Sequence, residues 1–96
     1  MTTKTDFQSL RELRKAYAPQ TRGIVTASEA DTIRGILELK SRNDIELSNI
    51  RDMAVMLYSS WAETVSDGGV KVALFDAMSA ITCVIDGEKI KRGIEP

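Results

Sequence analysis

Ile81–Ile94, ITCVIDGEKIKRGI, is the stretch on which the fold turns. Asp86-Gly87 lies between two segments rich in β-branched residues, the strongest short-range signal for a β-hairpin, and a hairpin here would make the chain α+β. Extending the window upstream changes the balance. Val70, Ala73, Leu74, Ala77, Met78, Ile81, Val84 and Ile85 fall on one helical stripe, the cleanest amphipathic pattern in the chain. An isolated two-stranded hairpin, by contrast, is marginal in water. The helical reading is preferred, with Gly87 as the glycine that follows a helix end and 88–96 as a short tail.

Upstream, SDGG (Ser66–Gly69) is the clearest loop, because two glycines after Ser and Asp favour turn conformations. Before it a third helix runs from a cap at Asn43 or Asp44, with Ser48 as a later alternative start, to about Val65. Thr26 and Glu29 form a T-x-x-E capping box ahead of Ala30, Ile33, Ile36 and Leu37, a second helix expected to end near Lys40. The first helix takes Thr5 or Asp6 as its cap, carries Phe7, Leu10, Leu13 and Tyr17 at helical spacing, and stops at Pro19. Residues 1–5 are expected to fray, and PQTRG reads as loop. The expected fold class is all-α: one domain over 1–96, a small bundle of about four helices joined by short loops, each helix with two neighbours.

The third helix contains MAVMLYSSWAE, Met53–Glu63, which opens with six apolar or aromatic residues in a row. At 100° per residue Ile50, Met53, Ala54, Leu57, Trp61 and Val65 gather on one arc, the expected core stripe. Val55 and Met56 fall outside it, and Tyr58 lies at its margin. The fourth helix repeats the surplus, with Val72, Phe75 and Cys83 off its main stripe. Covering Val55, Met56, Val72 and Phe75 would remove a few hundred Å² from water, worth roughly 5 kcal/mol before association costs. Val55, Met56, Tyr58 and Phe75 are therefore the candidate partner or dimer interface.

Charge adds a rim to that interface. Residues 1–25 hold five basic and two acidic side chains, whereas 26–69 hold four basic and eight acidic. On the first helix Arg11 and Lys15 share a stripe, and Arg14 is set into the apolar side, which makes the three a candidate polar rim able to meet an acidic partner. Overall the formal charge is -1, so no global field draws in nucleic acid or anionic lipid.

Composition removes most enzyme templates. The 96 residues contain no histidine, hence neither the commonest general base nor the usual nitrogen ligand of zinc. Ser59 and Ser60 have nothing to activate them. The acidic pairs Glu29/Asp31 and Asp44/Glu46 sit at helix starts, where carboxylates complement the helix dipole. SDGG lacks the lysine of a phosphate loop, and no cofactor or metal is expected. The single cysteine, Cys83, closes no internal disulfide, the first residues lack the apolar core of a signal peptide, and no run approaches the roughly 18 apolar residues of a membrane span. Cytoplasm is the expected location.

What remains is a non-enzymatic protein-interaction module, expected to self-associate as a homodimer and to bind a protein partner. A chain this short buries only roughly 60–65% of its unfolded surface, so added burial stabilises it more than it would a larger domain. Cofactor-free chains of this size often serve as small regulators or inhibitors encoded by phages or other mobile elements, an analogy of size alone. The alternative is a helix-turn-helix-like DNA-binding regulator in which Ser48, Asn49 and Arg51 open a recognition helix. Against it, Asp44, Glu46 and Asp52 surround that reading head with negative charge, and the turn KSRND has no glycine.

Overall fold

Every helix start carries a short polar side chain that accepts from a backbone N–H left free by helix geometry. Thr5 Oγ1 accepts from the Gln8 N–H at 3.1 Å while Gln8 Oε1 accepts from Thr5 N–H at 3.0 Å. Thr26 and Glu29 exchange the same pair of bonds at 3.1 and 3.2 Å, and Asn43 and Glu46 do so at 2.9 and 3.0 Å. Asp67 Oδ1 accepts from Val70 N–H at 3.0 Å. In the computed structural model, which describes residues 5–16 and 26–94, these caps open α1 (Asp6–Ala16), α2 (Ala27–Ile36), α3 (Asp44–Thr64) and α4 (Gly68–Lys91). The fold is a small all-α bundle, and no strand occurs among the described residues. Tyr17, Pro19 and the PQTRG loop lie outside those residues.

Two boundaries differ from the sequence expectation. The α4 helix passes through Gly87 and ends only at Arg92, so 88–91 belong to it and the hairpin is absent. Gly93, at φ 79°, is the left-handed residue that follows the helix, the role expected of Gly87. The physical reason is at the end of the helix, where Ile94 N–H reaches back to the Lys89 carbonyl at 2.8 Å and Gly93 N–H to Ile90 at 2.9 Å. The third helix begins at Asp44 behind its Asn43 cap, the preferred start, and not at the alternative Ser48.

The second helix stops at Ile36, short of Lys40. Leu37 and Leu39 are both fully buried, yet two residues apart on a helix would point about 200° away from each other. Glu38 resolves the conflict by adopting the left-handed region, φ 54°, after which Leu39–Ser41 make one 3₁₀ turn. Both leucines then face the core.

α3 packs along α4, α4 against α2, α2 against α1, and α1 against α3, so the helices close a ring in which each has two neighbours. The core holds Leu10 and Leu13 of α1, Ile33 of α2, Leu37 and Leu39 of the connector, and stripes from α3 and α4. On α3 the fully buried line is Leu47, Ile50, Ala54, Tyr58 and Ala62. Met53, Leu57, Trp61 and Val65, expected in the stripe, are only partly buried. The buried arc is therefore rotated from the expected one, with Tyr58 inside and Met53, Leu57 and Trp61 at its edge.

Polar contacts fix the α3–α4 register. Arg51 grips Asp86 through Nε at 2.8 Å and Nη2 at 3.3 Å, and Lys89 Nζ donates to Ser48 Oγ at 3.3 Å. By length and composition α4 is apolar enough to cross a membrane, contrary to the expectation that no run would be; core helices pass the same test, and its stripe from Ala73 to Ile85 is buried here.

Candidate functional site

An apolar trough runs along the outer flank of α3 where α1 meets it. Asn49, Asp52, Met53, Met56, Leu57 and Ser60 supply its α3 side and Phe7 of α1 its other wall, enclosing about 430 Å³. Their spacing is helical: positions 49, 53, 56 and 60 rise along one edge of α3, and half-buried Leu57 lies beside them. Met56 is 72% exposed and Phe7 44%, while Met53 and Leu57 are half-buried against the core. Apolar side chains from two helices thus line one concavity.

A basic cluster adjoins it. Arg11, Arg14 and Lys15 line a neighbouring hollow of about 310 Å³. The Arg11 guanidinium lies over the Phe7 ring, 5.7 Å from its centroid, and that of Arg14 lies over Trp61 at 4.6 Å. Both are cation–π placements, in which the negative ring face holds a positive group flat on the surface. They explain why Arg14 occupies the apolar side of its helix: the stem packs there and the charge stays solvated. None of the three cations has an ion pair among the described residues. Arg11 thus sits on the Phe7 wall of the trough and Arg14 stands at Trp61, next to its Ser60 end.

The four candidate interface residues do not form one patch. Met56 lines the trough. Tyr58 is fully buried, its ring 5.0 Å from that of Trp61 in an edge-on arrangement, and is a core residue instead of a contact residue. The reason is the shift of the buried arc of α3, which carries Tyr58 from margin to centre. Val55 is half-buried, and Phe75 is 38% exposed on α4; neither lines the trough. Phe7, Met53 and Leu57 were assigned to core stripes by their periodicity, and only the angle between α1 and α3 shows that their edges open outward.

The residues of the DNA-binding alternative are dispersed in role. Ser48 accepts from Lys89, and Arg51 is held by Asp86, whose hydrogen bond is the main reason its guanidinium pKa is raised above the ordinary value. Asn49 is exposed in the trough. α2 packs on α4 and α1 and makes little contact with α3, unlike the paired helices of a reading head.

A second constellation was not visible in the sequence. Arg42 is 3% exposed; its Nε donates to the Leu37 carbonyl at 2.6 Å and its Nη1 to Asp6 at 2.9 Å. Arg92 donates to the carbonyls of Leu39 at 2.8 Å and Arg42 at 2.7 Å, and pairs with Glu88 at 3.0 Å; this last bond is the largest cause of its raised pKa. Two guanidinium groups thus satisfy the carbonyls freed where α2 ends. These bonds tie the end of α2 to α1 and α4, and Arg42 Nη2 is buried without a hydrogen-bond partner among the described residues. Among the described residues no three metal-binding side chains converge. No protein-family profile matches the chain, and neither the curated proteins nor the solved structures contain a significant match to it.

Proposed function

We propose that this chain is a non-enzymatic interaction module, a small regulator that works by docking a protein on the trough between α1 and α3. The observation that carries the reading is the convergence of exposed Met56 and Phe7 on one concave apolar surface with Met53 and Leu57 beneath them. Exposed apolar side chains scattered singly are ordinary; several from two helices around one concavity mark an interaction site. Methionine suits such a surface because its thioether adapts to the shape presented to it.

A photo-cross-linking amino acid placed at Met56 tests the reading, with the same group at exposed Asp31 as the control. The expected result is a discrete protein adduct at position 56 that is absent at position 31 and suppressed by Met53→Glu. An adduct of twice the chain mass identifies self-association, and a different mass identifies another protein. No position-specific adduct overturns the proposal.

A further inference from the structure

Resting on that reading, we infer that the occupant of the trough is a single amphipathic helix of a partner protein, carrying carboxylates at the end that meets Arg11, Arg14 and Lys15. Three observations select it. The first is length: the lining residues run from Asn49 to Ser60, which at 1.5 Å per residue is roughly 16 Å, or about three helical turns. A short helix presenting apolar residues at i, i+3, i+4, i+7 and i+11 covers that distance with one face.

The second concerns the backbone. The trough is built from side chains of two helices whose own peptide groups are bonded within those helices, so it presents no free edge to an extended chain. A strand laid there would have half of its N–H and C=O groups turned to apolar surface without partners, whereas a helix brings its backbone bonds with it.

The third is charge. The three cations have no ion pair among the described residues, and two are held flat on aromatic rings, Arg11 on Phe7 in the wall of the trough and Arg14 on Trp61 next to its Ser60 end. Against Arg11, Arg14 and Lys15 stand Glu12 on α1 and exposed Glu63, one turn past Ser60 on α3, so this end still carries a net +1. Asp52 is the carboxylate that lines the trough, and it belongs to the opposite half. The surface is therefore directional, positive at one end and negative at the other. An incoming helix is favoured when its acid-rich end lies over α1's last turn, where its carboxylates, or its C-terminal dipole, meet the positive charge. A phosphate backbone fits less well, because it would place charge along an apolar floor and beside Asp52.

Two synthetic 16-residue helical peptides test the inference: identical leucines at i, i+3, i+4, i+7 and i+11, with glutamates in the last turn of one and lysines in the other. Trp61 is the chain's single tryptophan and lies under Arg14, so its emission reports occupancy directly. The glutamate peptide is expected to bind roughly tenfold more tightly at low salt, with the difference narrowing as salt is raised. Arg14→Glu combined with Lys15→Glu should reverse the preference in a chain whose thermal unfolding remains cooperative, and Met56→Glu should weaken both peptides. Equal affinity for the two peptides, no binding of either, or an oligothymidylate of equal charge binding as well as the glutamate peptide overturns the inference. If position 56 still yields a protein adduct in that case, the docking reading stands and only the nature of the occupant is wrong. An adduct made solely of a second copy of this chain also overturns it.

Discussion

Met56 and Tyr58 stand two positions apart and have opposite functions in the molecule. Tyr58 has 0% exposure and Met56 72%, because a step of two residues turns a helix by about 200°. Tyr58→Ala should cost about 3–5 kcal/mol through the cavity it leaves, whereas Met56→Ala should stay within about 0.5 kcal/mol; urea unfolding followed by Trp61 emission measures both. A large loss at Met56 would mean that its side chain is part of the core. Arg14 is a third case at this scale. Its guanidinium over Trp61 should contribute about 0.5–1 kcal/mol, so Arg14→Ala lowers the urea midpoint and alters the indole emission, while Arg14→Lys retains part of both.

At the level of elements, glycine is read by context. Gly87 lies inside α4, and a Cβ built there meets nothing within 4 Å. Gly87→Ala should therefore stabilise the protein by about 0.5–1 kcal/mol, as expected where a flexible residue is replaced in a helix interior. Gly93 holds φ 79°, so Gly93→Ala should instead destabilise by about 1 kcal/mol. Opposite signs in thermal melts of the two variants would confirm that the helix ends after Arg92; a hairpin turn at Asp86-Gly87 predicts the reverse. Asn43→Ala, which removes the side-chain acceptor for Glu46 N–H, should cost about 1 kcal/mol and shows whether α3 starts where its capping box lies.

Across the whole molecule, the two buried-end arginines tie distant segments. Arg42 connects the first turn of α1 with the end of α2, and Arg92 joins the last turn of α4 to the same connector. Removing Arg42 leaves the Leu37 carbonyl and Asp6 without their donor, and Arg42→Ala should cost about 2–3 kcal/mol. Since the Arg42 side chain holds the Leu37 carbonyl and the Arg92 side chain holds those of Leu39 and Arg42 on the same connector, Arg42→Ala with Arg92→Ala should be non-additive in a double-mutant cycle; strict additivity would show that the two act independently.

The helical class, the caps of the first three helices and most of the fourth helix's apolar stripe were determined by local sequence, since capping residues and 3.6-residue periodicity act within a few positions of themselves. Thr26 with Glu29 and the Val70–Ile85 stripe show this directly. Tertiary structure decided the rest. The αL turn at Glu38 arises because Leu37 and Leu39 both seek one core, and the rotation that buries Tyr58 arises because α3 lies between α1 and α4. The trough has the same origin: Phe7 and Met56 are 49 positions apart, and only the packing of two helices gives them a common surface. Periodicity places a side chain on an arc, but the positions of the neighbouring helices determine which part of that arc is covered and which remains open to a partner.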